Sequence, residues 1–334
     1  MGTPDRFTIS YGKARVPVYR VNAQPLTGVA PIPESAFTDR QNTLLVLEVD
    51  VEVFGSNFLP AYTEGDNSSV VATDSMKNFV LRQALEYTGA TIEGFLDMLG
   101  RRFLESYAQM ERLRLTAREL PFVPAVVPTG APGAFAASSV LFSRSHDDYT
   151  VATLEFDRDS GDGSAACLIE HRCGRAGMQL LKVTGSSFTH FVRDDFTTLP
   201  ERSDRPLYIF MDASWTYTDA ADMLDLSRRR YVPAEQMRDL VAVVFNEFVS
   251  ESIQHLVHEM GTRIFARFPQ LAEVSFEAQN RTPDPAAVSQ ADARVKVYTD
   301  PFTAYGLIKL TMRRDGTGGT GGTGGIGGTG GTES

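Results

Sequence analysis

Hydrophobic residues make up 42% and charged residues 22% of this 334-residue chain, which is enough apolar material for a sizeable core. The length fits two domains or one large one. A net charge of −10 leaves no basic excess to neutralise phosphates, so the molecule as a whole is not built to hold nucleic acid.

From the N-terminus, residues 7–21 read as a strand with a break near Pro17. Leu47, Val49, Val51 and Val53 then alternate with Glu48, Asp50 and Glu52, which gives the next strand one apolar and one acidic face and makes a hairpin with the first. Helical spacing follows at 75–87, with Asp74 as a plausible cap, and at 91–107, where Ile92, Phe95, Leu96, Leu99 and Phe103 form one stripe. Gly89 separates the two helices. Residues 112–120 and 149–156 read as strands, and the Pro-, Ala- and Gly-rich stretch 121–139 as a loop.

The second half repeats this order without obvious sequence similarity. Strands are expected at 167–183 and 206–217, where Leu207, Ile209, Met211, Ala213 and Trp215 share one face. Pro233 opens a helix at the first-turn position that tolerates it, with Met237, Leu240, Val241, Val244, Phe245 and Phe248 as its stripe. Ile253, Leu256, Val257, Met260 and Ile264 form the next stripe, and strands near 271–278 and 305–312 close the unit. Gly and Thr repeats fill 316–332; with almost nothing to bury, the tail is expected to be disordered. The fold class is therefore α+β: two copies of a unit with four antiparallel strands and a helix pair on one face. The units span 1–160 and 161–314, with a tail at 315–334. The acidic face of the second strand must meet water or a solvent-filled channel.

Two cysteines, Cys167 and Cys173, fit a reducing compartment. The five histidines include no HExxH pair, and His255 and His258 have no third ligand in view, so no metal is expected. Residues 1–7 lack the apolar core of a signal peptide, no stretch is long and apolar enough to span a bilayer, and the last residues, Thr-Glu-Ser, are not a peroxisomal address. The expected location is the cytoplasm. No glycine motif of a dinucleotide or nucleotide site occurs, so no cofactor is expected.

The most informative stretch runs from Tyr62 through Thr63, Asp66, Asn67, Val71, Thr73 and Asp74 to Lys77 and Asn78. Polar groups crowd a helix N-terminus, where free N–H groups favour an acceptor or an anion. This stretch resembles the signature of the uricase family. A second block, Ser187 to Leu199 followed by Asp204 and Arg205, agrees with it, as does the opening Tyr11-Gly12-Lys13. The blocks occur in family order from Tyr11 to about Leu310.

What the resemblance implies is a pair of tunnelling-fold units per chain. Two chains close their sheets into a barrel, and two barrels stack into a homotetramer around a tunnel, with active sites between chains. Carried over by motif, Lys13 and Thr73 form the catalytic pair, and Thr73 and Asp74 touch the substrate. Phe188 stacks on the flat purine, Arg205 and Gln254 grip its edge beside Ile253, and Asn280 sits above the ring where oxygen or water binds. Each assignment has a physical basis. Urate is planar and anionic, an arginine offers parallel donors, a glutamine offers a donor and an acceptor, and an aromatic face stacks.

The implied reaction is urate with molecular oxygen and water giving 5-hydroxyisourate and hydrogen peroxide, with no metal or other cofactor. Many family members place a histidine two residues after the asparagine; here Thr282 stands there, followed by Pro283. That departure bears on the proton relay and not on the substrate clamp; the Thr282 hydroxyl does not titrate near neutrality, so any part it takes would run through a water and not as an acid or base. Taken singly, each site residue has a plainer reading: Lys13 a solvated lysine, Arg205 a pair for Asp204 or Glu201, Phe188 core, Gln254 helix surface, Asn280 a turn residue. The rival readings are another enzyme of the same fold acting on a pterin or purine, with a zinc site or a differently placed acid, and a non-catalytic purine-binding or scaffolding homologue.

Overall fold

The structure, a computed structural model, describes residues 7–158, 166–299 and 303–314; the tail expected at 315–334 lies outside the described residues. In chain order the elements are β1 (Ser10–Val21), β2 (Leu44–Phe54), α1 (Leu59–Thr63), α2 (Thr73–Glu86), α3 (Ile92–Ser106), β3 (Arg112–Glu119), β4 (Phe122–Pro128), β5 (Phe135–Arg144) and β6 (Tyr149–Arg158). There follow β7 (Ala166–Phe188), β8 (Arg202–Tyr217), α4 (Ala221–Leu224), α5 (Ala234–Glu247), α6 (Ile253–Arg267), β9 (Leu271–Asn280), β10 (Pro285–Val288), β11 (Lys296–Tyr298) and β12 (Gly306–Arg313).

Eight strands form one antiparallel sheet in the order β1-β2-β3-β6-β7-β8-β9-β12. Four come from each half of the chain, and the halves join edge to edge through β6 and β7. Helices α2 and α3 pack on the first four strands, α5 and α6 on the last four. The alternation in β2 decides which face they cover: Val49, Val51 and Val53 are buried with Leu113, Leu115, Leu154 and Phe156 of the neighbouring strands. The α3 stripe of Phe95, Leu96, Leu99 and Phe103 is buried against them, each large side chain contributing about 1.5–3 kcal/mol. At Gly100 a Cβ would stand 2.3 Å from the Phe156 ring, so only glycine lets α3 lie this close to β6.

The opposite face is a ladder of ion pairs. Asp50 meets Arg118 at 2.7 Å, Glu52 meets Arg114 at 3.3 Å, and Glu155 takes both Arg112 and Arg114. Glu273 likewise joins Arg172 at 3.2 Å to Arg313 at 2.7 Å. The acidic face read from β2 is thus neutralised by arginines on its neighbours.

Three expectations need correction. Residues 121–139 are not a loop: β4 and β5 pair with each other as a separate hairpin, a pairing hidden by the Pro and Gly content. β1 is not broken at Pro17, which pairs with Glu48 on an edge strand, where a missing N–H is tolerated. The irregularity is a bulge between Lys13 and Val16, with Arg15 at φ 55. Asp74 is not the cap of α2; Ala72 stands at that position and offers no side-chain hydrogen bond.

The repeat anticipated from element order is visible in detail. Helices α2 and α5 have 14 residues each and α3 and α6 have 15, and both pairs start 161 residues apart (73 and 234, 92 and 253). Thr91 caps α3 and Ser252 caps α6. Each first strand carries a bulge whose N–H is held by a carboxylate on the next strand: Arg15 N–H to Asp50 at 2.6 Å, Gly177 N–H to Asp212 at 2.7 Å. Each last strand ends in an arginine that binds the final carbonyls of the second helix. Arg158 takes Leu104, Tyr107 and Met110; Arg314 takes Phe265, Phe268 and Leu271.

Candidate functional site

The β1 bulge aims Lys13. With one extra residue between Lys13 and Val16, Lys13 pairs with Val51 and Val16 with Val49. Val51 and Val49 are both buried against the helices, so Lys13 lies on that same face; a regular strand would have turned it to the other side. Next to it, Gly12 is forced by contact: a Cβ there would fall 1.8 Å from the Val51 carbonyl oxygen.

Tyr11, also on the helix face, packs edge-on against Phe58 at 5.0 Å, and its hydroxyl accepts the N–H of Val71 at 3.0 Å. Burial pushes the Tyr11 hydroxyl pKa up. This bond ties β1 to the approach of α2, two residues before Thr73. Thr73 opens the helix, whose first-turn N–H groups have no side-chain cap. Asp74 follows, exposed, held by Lys77 at 2.5 Å and by Asn78 at 3.0 Å. Its carboxyl is kept below the usual range by the hydrogen bond and charge of Lys77, with a smaller contribution from the charge of Lys13. Lys13, Thr73 and Asp74 therefore form one polar corner.

A second group gathers at the far end of β7. Ser186 pairs with Arg205 and bridges to Ser250, and Ser187 N–H donates to the Ser250 carbonyl at 2.8 Å. These contacts set Phe188, Arg205 and the start of α6 side by side, with Ile253 buried and Gln254 exposed. The Arg205 guanidinium stands 5.3 Å from the Phe188 ring centre, and Phe188 stacks on Phe191 at 4.9 Å and 11°.

Arg205 has no carboxylate of its own. Asp204 is taken by Thr184 at 2.9 Å and Gly185 N–H at 2.8 Å, and Glu201 accepts the His190 N–H at 3.1 Å. Its Nε is buried without a hydrogen-bond partner, and burial lowers the guanidinium pKa despite the nearby charge of Asp284. An unpartnered buried donor is costly and points to a missing acceptor. Asn280 ends β9 and, with Arg205, Thr282 and Asp284, lines an open pocket of about 140 Å³. The Thr282 hydroxyl accepts the Tyr208 N–H at 2.8 Å and its own N–H goes to Asn280 Oδ1 at 3.1 Å, so its polar groups are committed to the backbone frame.

The two groups do not meet within one chain. Four strands, β2, β3, β6 and β7, separate β1 from β8, a lateral distance of roughly 24 Å at the usual strand spacing. The Lys13 row crosses β7 at His171, whereas Arg205 pairs with β7 at Ser186, well along the strand. A larger cavity, about 320 Å³, lies instead at the seam between the halves. Four of its lining residues, Thr43, Glu119, Arg175 and Glu235, are repeat counterparts of members of the two groups. Arg175 precedes the second bulge as Lys13 precedes the first, and Ala234 and Glu235 open α5 as Thr73 and Asp74 open α2. Glu119 ends β3 as Asn280 ends β9, and Thr43 corresponds to Arg205 at the interval that relates Asp50 to Asp212.

Sequence reasoning missed Tyr11 and Asp50 as supports of the corner. Tyr11 was visible in the Tyr-Gly-Lys motif, but nothing in the sequence announces the bulge that Asp50 holds. Among the described residues no group of histidine, cysteine, aspartate and glutamate is arranged to hold a metal. Cys167 and Cys173 are both free thiols.

Fold and site define a tandem tunnelling-fold chain with two separate surfaces, a lysine–threonine corner and an arginine–aromatic–asparagine clamp. The model of the family described as Uricase matches residues 9–151 and 171–309, and the chain belongs to the uricase family. A uricase of Haloferax volcanii is 48% identical over 82% of this chain and 88% of its own length. The uric acid degradation bifunctional protein PucL of Bacillus subtilis is 42% identical over 92% of this chain, which spans 61% of that longer protein. The crystal structure of urate oxidase from Bacillus sp. TB-90 superposes with a TM-score of 0.88 at 42% identity, covering 92% of this chain and all of that one.

Proposed function

We propose that the protein is a urate oxidase that converts urate, oxygen and water to 5-hydroxyisourate and hydrogen peroxide without a cofactor. The observation that carries this beyond family membership is the unpartnered, buried Nε of Arg205 beside Phe188, in the pocket shared with Asn280. A flat anion with carbonyl edges supplies the acceptor that this donor lacks. In this reading Phe188 stacks on the ring, Gln254 and Arg205 hold its edge beside Ile253, and Asn280 faces the oxygen or water position. Lys13 removes a proton through the Thr73 hydroxyl, while Thr73 and Asp74 present the first turn of α2 to the substrate. The electron-rich urate anion then reduces O₂, so the substrate supplies both electrons and the protein supplies positioning and proton transfer.

The active site forms between chains: the corner of one first unit closes on the clamp of a partner's second unit. Its support is the cavity at the seam within one chain, where the repeat counterparts of these two surfaces close on each other. β1 and β12 are the two open edges of the sheet, available for joining a partner into a barrel, and two barrels make a homotetramer. The units divide at 1–160 and 161–314, and the protein works in the cytoplasm. No helix among the described residues is long and apolar enough to cross a membrane.

The test is the loss of urate absorbance with hydrogen peroxide measured in parallel. Equal consumption of urate and production of peroxide by metal-stripped protein supports the reading. Tight urate binding without turnover would instead favour a purine-binding homologue.

A further inference from the structure

The cavity at the seam is lined by the repeat counterparts of Lys13, Asp74, Arg205 and Asn280, and its clamp side has lost a cation and gained a carboxylate. The clamp side carries Glu119 in place of Asn280, and the corner carries Glu235 in place of Asp74. Between them stands Arg40. Its Nη1 reaches Glu119 at 2.6 Å and Glu235 at 3.0 Å, and its Nε donates to Asn42 Oδ1 at 2.6 Å. Asn42 is itself buried, with its amide fixed on the carbonyls of Gln24 at 2.7 Å and Ala90 at 3.0 Å. One planar group therefore spans a clamp carboxylate from the first unit and a corner carboxylate from the second.

We infer that this cavity is a degenerate copy of the urate site, in which the guanidinium of the chain's own Arg40 takes the ligand position and locks the two units together. The inference rests on the reading of Lys13, Thr73 and Asp74 with Phe188, Arg205 and Asn280 as the two halves of the active site. The cationic features that would hold urate are withdrawn here. Arg175, the counterpart of Lys13, is bound to Asp148 at 2.5 Å, and Thr43, the counterpart of Arg205, carries no charge. Two carboxylates converging on one nitrogen, with the Asn42 oxygen on the next, suit a flat cation with donors on adjacent nitrogens and repel a flat anion. The chemical class that the position accepts is a guanidinium or amidinium ion, which the chain supplies from the segment between β1 and β2.

The experiment uses the full-length enzyme and Arg40→Ala. Removing Arg40 leaves two carboxylates unpaired in the cavity, so the Tm is expected to fall by about 5–10 °C. Millimolar methylguanidinium is expected to restore part of that loss in Arg40→Ala and none in the parent, whereas sodium or ammonium at equal ionic strength restores nothing. Arg40→Lys keeps the charge without the fork and is expected to fall between the two; it serves if the alanine variant does not fold. An unchanged Tm in both variants, or equal recovery with sodium, overturns the inference. So does calorimetry of the parent with a urate analogue that saturates at two per chain instead of one. Failure of Arg205→Ala to weaken that analogue would refute the active-site reading, whatever the Arg40 variants do.

Discussion

The two units of this chain use the same backbone devices for different ends. Both bend their first strand with a bulge held by an aspartate, Asp50 or Asp212, and both cap their second helix with Thr91 or Ser252. At the corner, the first unit places Lys13, Thr73 and Asp74, where the second places Arg175, Ala234 and Glu235. At the other end the second unit places Arg205, Gln254 and Asn280, where the first places Thr43, Glu93 and Glu119. On the proposed reading each unit keeps one reactive end and turns the other into a structural seam. Backbone geometry is held in common, and the side chains are what differ between the two junctions. On the same reading, a chain with its corner and its clamp at opposite ends borrows the missing half from a partner.

The largest expected effect comes from the corner. Lys13→Met and Thr73→Ala should each lower kcat by about a hundredfold or more, the usual range for loss of a positioned proton-transfer group. The double variant should be little worse than either, because members of one relay are non-additive. The counterpart change Ala234→Ser, at the seam, should leave kcat untouched. Steady-state rates of these variants separate the units, and two independent, multiplicative losses from Lys13 and Thr73 would rule out a shared proton path.

The clamp should show itself in binding. Arg205→Ala should weaken a purine inhibitor about thirtyfold or more, from the roughly 2–5 kcal/mol lost when one side of a buried charged hydrogen bond is removed. Arg205→Lys should weaken it less, because an ammonium keeps the charge without the planar fork. The free enzyme should lose little Tm in either variant, since Nε has no partner to lose. Inhibitor competition alongside thermal melting tests this. Parent-like affinity in both variants would make Arg205 an ordinary surface arginine.

Glu93, the counterpart of Gln254, tests the seam through pH. It is 1% exposed, and burial, aided by the charge of Glu119, raises its carboxyl pKa to about 7; a hydrogen bond from Tyr231 at 3.2 Å opposes the rise. Cys173, Tyr217 and Tyr231 face it, all with pKa values pushed upward by burial, and no cation among the described residues pairs with it. Because the folded value lies above the ordinary 4.5, the folded state holds its proton longer than the unfolded chain. Stability from this group is complete below pH 4.5, falls as pH rises from there to about 7, and stays reduced above it. The total loss is on the order of 3 kcal/mol. Glu93→Gln should therefore be more stable than the parent at pH 8 and no more stable at pH 4.5, a difference that urea unfolding at the two pH values would register.

Much of this arrangement was legible from the residues. Alternation in β2 and the stripes of α3, α5 and α6 identified the core faces, and the order of elements announced the repeat. The β4–β5 hairpin was not legible, because proline, glycine and alanine blur its alternation and its strands pair only with each other. Nor was the β1 bulge, where the left-handed residue is Arg15; its counterpart Gly177 carries the usual glycine signal. Arg205 beside Ser186 and Ser250 depends on pairings far apart in sequence, which no local pattern encodes, so the clamp could be placed only by family resemblance.

The smallest expected effect concerns the boundary of the second unit. Arg314 is the last described residue: Nε donates to the Leu271 carbonyl at 2.9 Å, Nη2 to Phe265 at 2.5 Å and Phe268 at 3.3 Å, and the guanidinium lies 4.7 Å from the Phe265 ring centre. Arg158 does the same for α3, so the two arginines mark equivalent ends of the two units. Beyond Arg314 the sequence is Asp315 and then Gly and Thr repeats with Ile326 as its one large apolar residue, and such a segment has little to bury. Truncation after Arg314 should therefore leave the Tm within about 1 °C and kcat unchanged, the neutral result expected when no buried group is removed. Truncation before Arg314 should cost stability, because the carbonyls of Phe265 and Phe268 at the end of α6 and of Leu271 at the start of β9 lose their donor. Melting curves and turnover of the two truncations decide the matter, and a loss of either on removing the repeats alone would mean that the tail packs against the folded chain.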